Sequence, residues 1–137
     1  VIIFTPNTVI KSADVNLNFS ELKTKTDYLS APDTAWIAPT FTNSWVDYGT
    51  PWANVGYRKD AEGYVWLRGL MKNGTINLPC FTLPVGYRPP TNGGLRFACV
   101  ANNLFAALTI TDDGKVTPET GSNVYYFLDG ARFKAEA

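Results

Sequence analysis

The hydrophobic pattern of this chain changes period once. Val15, Phe19, Leu22 and Leu29, with Thr26 completing the series, recur at alternating steps of four and three, the spacing of a helical coiled-coil seam. Ser12 and Asp14 offer an N-cap and a first-turn carboxylate, so a helix is expected from Ala13 to Leu29, within a segment spanning 12–30. Leu17 lies off the seam, and Asn16, Asn18, Ser20, Lys23, Lys25 and Asp27 make the opposite face polar. Isolated helices below ~12 to 15 residues are marginal in water, and about two heptads need a partner. Two partners fit the pattern equally: the chain's own β domain, or a parallel bundle of identical chains. Residues 1–11 are expected to be extended, with Pro6 as a breaker, and 31–44, carrying Pro32 and Pro39, to form a connector.

From residue 45 to 137 the period becomes two. "WVDYG" and "WANVGYR" read as short strands, and "GYVWLRGLM" alternates Val65, Leu67 and Gly69 against Tyr64, Trp66, Arg68 and Leu70. "CFTL" follows, then a strand with Leu95, Phe97 and Cys99 on one face, an Asn102-Asn103 turn and a strand from Leu104 to Ile110. Asp112-Asp113-Gly114 marks a second tight turn, and Asp129-Gly130 separates "NVYYFL" from "ARFKA". Asn and Asp-Gly pairs tolerate the positive φ of hairpin turns. The expected fold is mainly β, an antiparallel β-sandwich or small barrel preceded by a short α-helical coiled-coil segment.

Composition narrows the chemistry. The 137 residues are 45% hydrophobic and 18% charged, enough for one folded domain with an appendage. Twelve basic residues balance twelve acidic ones and are scattered, which argues against nucleic acid and anionic membrane as partners. No apolar run approaches the ~20 residues of a membrane span, and "VIIFTPN" is too short and lacks the basic flank of a signal peptide. A soluble chain without membrane insertion or export address is expected, and its start at Val1, without an initiator Met, suggests a fragment or a processed chain.

With no histidine and two cysteines, Cys80 and Cys99, in apolar strand contexts, zinc ligation and histidine-based triads are excluded, and inert thiols are favoured over a disulfide. Sugar cleavage needs two carboxylates roughly 5 to 10 Å apart. Asp112 and Asp113 are adjacent and read as a hairpin, and Asp60 with Glu62 as an exposed turn. No phosphate loop and no calcium loop is present, so no enzyme and no cofactor is expected. Aromatics make 14% of the chain, beyond what a core of this size needs. Aromatic faces stack on sugar rings, and alternation nominates Tyr57, Tyr64, Trp66 and Tyr125 for a surface. The polar loops containing Asn92, Asn102, Asn103, Asp112 and Asp113 are the other binding candidates. Arg88, between Pro84 and Pro89-Pro90, is expected to be paired or to bond backbone carbonyls in a stiff crossover, a structural role favoured over ligand binding.

In order, "ADVNLNFSELKTKTDYL", "YRKDAEGYVWLRGLMKNGT", "FTLPVGYRPP", "LTITDDGKVT" and "VYYFLDGARFKA" resemble the C-terminal part of bacteriophage tail-fibre and receptor-binding proteins, over about residues 13 to 135. The resemblance implies a parallel homotrimer with Val15, Phe19, Leu22, Thr26 and Leu29 in its seam. It implies a virion component made in the bacterial cytoplasm and joined to other tail or virion proteins through its N-terminal segment. Loops or intersubunit clefts would contact host surface glycan or protein by multivalent, non-enzymatic binding. The competing expectation is a purely structural trimeric fibre, cap or decoration subunit.

Overall fold

The computed structural model describes residues 35–136 apart from Asn92. Segments 1–11 and 12–30, the seam residues Val15, Phe19, Leu22, Thr26 and Leu29, and the loop candidate Asn92 lie outside the described residues.

The described part is β throughout: β1 (Val46–Asp47), β2 (Gly56–Lys59), β3 (Tyr64–Arg68), β4 (Leu70–Lys72), β5 (Phe81–Thr82), β6 (Gly94–Ala101), β7 (Leu104–Thr111), β8 (Lys115–Pro118), β9 (Tyr126–Phe127) and β10 (Arg132–Lys134). They form two antiparallel sheets, one of seven strands in the order β1-β4-β9-β6-β7-β8-β5 and one of three in the order β10-β3-β2. The longest ladder, β6 with β7, runs in register from Gly94 opposite Thr111 to Ala101 opposite Leu104. Asn102 and Asn103 close it with φ of 48° and 64°, the two positive values that a two-residue primed turn demands.

The expected strand "GYVWLRGLM" keeps its alternation from Tyr64 to Arg68 but divides at Gly69, so that β3 joins the small sheet and β4 the large one, and Leu70, expected beside Tyr64, Trp66 and Arg68, is buried. Gly69 has φ of +108°, and a Cβ there would lie 2.5 Å from the Val55 backbone. Its amide donates to Asp129 Oδ1 at 3.1 Å, and its carbonyl accepts from Leu128 N–H at 2.9 Å. "NVYYFL" and "ARFKA" likewise do not pair with each other; Asp129-Gly130 carries the chain from β9 in one sheet to β10 in the other.

Both inner faces feed one core, with Leu67 and Phe133 from the small sheet and Met71, Phe81, Leu108 and Tyr126 from the large one. Tyr57 stacks on Phe81 at 6.3 Å, and Phe97 meets Phe133 at 6.3 Å. The connector expected over 31–44 is, from residue 35 onward, part of this domain. Ile37 bridges to Tyr57, Phe41 packs edge-on against Phe81 at 6.4 Å, and Thr42 N–H donates to the Cys80 carbonyl at 2.8 Å. Through Ile37 it pairs with a strand edge instead of leading away.

Trp45 is the largest fully buried side chain, 1% exposed, and its indole lies flat on Gly74. A Cβ at Gly74 would fall 1.9 Å from that ring, and a bicyclic side chain in a closed core cannot yield that distance. Gly74→Ala is therefore expected to destabilise the domain by about 1–3 kcal/mol, read as a lower urea midpoint at unchanged slope.

Candidate functional site

The outer face of the large sheet carries a groove at its β1-β4-β9 end. Leu70 and Phe127, register partners across β4 and β9, form its floor. Tyr48, Trp52, Asn103 and Tyr125 form its walls, around a volume of about 220 Å³. That is below the ~300 to 1,000 Å³ of pockets that enclose drug-sized ligands. It is open and shallow, with room for a single small ring.

Leu70 and Met71 are both buried, at 3% and 0%, but Met71 joins the core whereas Leu70 lies under the groove. The Trp52 wall comes from the loop between β1 and β2. Asp47 Oδ1 accepts from Val55 N–H at 2.7 Å across its base, Trp52 N–H donates to the Gly49 carbonyl at 3.0 Å, and Leu70 N–H donates to the Ala53 carbonyl at 3.1 Å. These bonds pin the loop while leaving Trp52 49% exposed. Trp52 and Tyr125 each meet the Phe127 ring nearly edge-to-face, at 5.5 Å and 80° and at 5.8 Å and 76°. Such perpendicular contacts hold the rings in fixed orientations. Lys72 Nζ sits 4.9 Å from the Tyr48 ring centre.

Of the residues nominated by sequence, Asn103 and Tyr125 line this groove, and Asn102 stands beside Asn103 at the hairpin tip. Tyr48, Trp52 and Phe127 were not among them. Trp52 in particular was read as opening the strand "WANVGYR", whereas the strand begins at Gly56. The Pro51 and Gly49 beside it are the signal of a loop aromatic.

Tyr57 is not a surface residue; it is 8% exposed. Register decides this, since Tyr57 faces Leu67 on the inward side of the β2-β3 pair while Arg58 faces Trp66 on the outward side. Burial, with the neighbouring Tyr87, pushes the Tyr57 phenol above its ordinary range. Asp112 and Asp113 stand at the β7-β8 hairpin, away from the residues lining the groove. Asp113 accepts from the Thr111 hydroxyl and pairs with Lys115 at 3.5 Å. The Thr111 bond, with the Lys115 amide and charge, holds its carboxyl below the usual range. It braces its own turn.

Tyr64 and Trp66 lie elsewhere, on the outer face of the three-stranded sheet. There, cations and rings alternate: Arg68 over Trp36 at 4.3 Å, Arg58 over Trp36 at 5.1 Å and Trp66 at 5.4 Å, Arg132 over Trp66 at 4.8 Å and Tyr64 at 5.5 Å, and Lys134 over Tyr64 at 5.3 Å. Asp60 accepts from Trp66 Nε1 at 2.9 Å and from Tyr64 N–H at 2.9 Å.

Cys80 and Cys99 are free and buried. Desolvation pushes both thiols up, that of Cys99 to about 11. Arg88 Nε donates to the Leu83 carbonyl at 2.9 Å, within the proline-rich crossover. Among the described residues no three His, Cys, Asp or Glu side chains converge as a metal site.

No family model matches the chain, and no curated protein matches it. Among solved structures it is similar to the receptor binding protein (gp15) of Listeria phage PSA, with a TM-score of 0.71, 14% identity, and coverage of 96% of this chain and 83% of that one. The two chains share a fold.

Desolvation raises the Asp60 carboxyl, but the Trp66 indole, the Tyr64 and Glu62 amides and the Arg58 charge together bring it below 3.8. A carboxyl lowered in the folded state contributes stability above its unfolded value and loses it as pH falls through the folded one. Asp60→Asn is expected to flatten the acid-side decline in stability below about pH 4, measured by urea unfolding between about pH 2 and 5.

Proposed function

We propose that this chain is the host-attachment module of a phage tail fibre, a virion component that binds a glycan of the bacterial envelope without cleaving it. The observation that carries the reading is the groove of Tyr48, Trp52, Tyr125 and Phe127 with the Asn103 amide at its rim. Its rings offer flat apolar faces to the C–H face of a sugar, and an amide offers both a donor and an acceptor to ring hydroxyls. The shared fold with a protein described as a phage receptor binding protein supports the same reading.

The binding is non-enzymatic in this proposal. None of the six lining residues is a carboxylate, and most glycosidases use a pair of carboxylates across the sugar. A shallow groove gives weak affinity per site, so the proposal includes a parallel homotrimer. Several copies on one rigid particle raise avidity by ~100 to 10,000 without any new contact. Leu104 and Phe105, 71% and 70% exposed, and Val100, 46% exposed and opposite Phe105, give the β6-β7 hairpin apolar surface for a neighbouring copy. The same surface favours the second reading, a structural fibre or cap subunit that binds no receptor.

Light scattering of the purified chain should give three times 15.1 kDa, and the chain should sediment with bacterial envelopes. Trp52→Ala, at a half-exposed loop position, should leave mass and melting temperature in place and weaken envelope binding roughly tenfold or more. Equal binding by Trp52→Ala would remove the groove from the mechanism. A trimer that binds no envelope in a broad bacterial panel would establish the structural reading, and a monomer would refute the assembly.

A further inference from the structure

The basic residues are scattered along the sequence and gathered by the fold. Across β10 and β3, Arg132 lies opposite Trp66 and Lys134 opposite Tyr64; across β2 and β3, Arg58 lies opposite Trp66. The result is the row of alternating cations and rings on the outer face of the small sheet. We propose that this face is a second binding site, separate from the groove, that takes an acidic polysaccharide through its carboxylates.

A guanidinium stacked on a ring uses its face and keeps its N–H edge available for in-plane hydrogen bonds. Among the described residues, Arg68 and Arg132 form no ion pair. Lys134 Nζ donates to a backbone carbonyl, that of Glu62, and meets no carboxylate among the described residues. One carboxylate already docks on this face: Asp60 accepts the Trp66 indole N–H beside Arg58. Stacking holds the cations in place before binding, so little side-chain entropy is lost when an anion arrives. A polymer with an acid on each repeat matches a row of cations, whereas a neutral glycan offers Arg68 and Arg132 no carboxylate.

The test uses the full chain in affinity electrophoresis through polygalacturonate, with pullulan as the neutral polymer and polyphosphate and single-stranded DNA as the phosphate polymers. Polygalacturonate should retard the protein and pullulan should not, and the retardation should fade between about 50 and 300 mM salt. The double variant Arg132→Gln, Lys134→Gln and the single variant Arg68→Gln should each bind roughly tenfold more weakly or worse. Melting curves confirm their folding; should the double variant unfold, Arg68→Gln decides. Trp52→Ala should bind polygalacturonate like the unaltered chain, so this site and the groove succeed or fail separately. Absence of retardation, or retardation unchanged in the folded variants, overturns the proposal. So does equal or tighter binding of polyphosphate or DNA, which would make the face a phosphate site.

Discussion

The close approach of Gly69 to the backbone of Asn54 and Val55 is the constraint on which the arrangement of this domain depends. A side chain at that position would overlap the neighbouring strand entry, and the positive φ disfavours any residue but glycine. With glycine there, the chain turns a corner between two sheets. The parallel corner at Asp129-Gly130 lies against it, joined by the Asp129 carboxylate and the Leu128 amide. Two adjacent corners thus close the small sheet over the large one and seal a single core.

This corner also divides one continuous run of residues between two surfaces. Trp66 and Arg68, before Gly69, belong to the row of rings and cations on the small sheet. Leu70, after it, belongs to the floor of the aromatic groove on the large sheet, with Lys72 over Tyr48 at its margin. Both surfaces are held by strands and a pinned loop, so their rings are positioned by the scaffold. A shallow recognition surface needs that rigidity, because weak contacts cannot also supply the cost of ordering mobile side chains.

The interior is correspondingly inert. No polar or charged residue is buried among the described residues, and the two thiols lie in apolar surroundings that keep them protonated. Tyr126 buries its ring against Trp45 at 6.1 Å and still satisfies its hydroxyl by donating to the Ala107 carbonyl at 3.0 Å. Among the described residues, charged side chains lie on outward faces and at hairpin ends.

What the sequence determined by itself was whatever depends on neighbours a few residues away. Asn102-Asn103 and Asp112-Asp113-Gly114 announced their turns because positive φ is a local requirement, and the alternation from Tyr64 to Arg68 announced its two faces because the period of a strand is local too. Arg88 between prolines was legible as a structural residue for the same reason, and the fold chose backbone bonding over an ion pair. Tertiary structure alone decided which parity faced inward: Tyr57 went to the core because its register partner is Leu67, a fact of strand pairing that one strand cannot contain. It alone moved Trp52 from a strand to a groove wall, through bonds to Asp47 and Leu70 that close a loop. It alone turned a balanced and scattered charge into a row of cations, since residues as far apart as Arg58 and Arg132 become neighbours only when β2 and β10 flank β3.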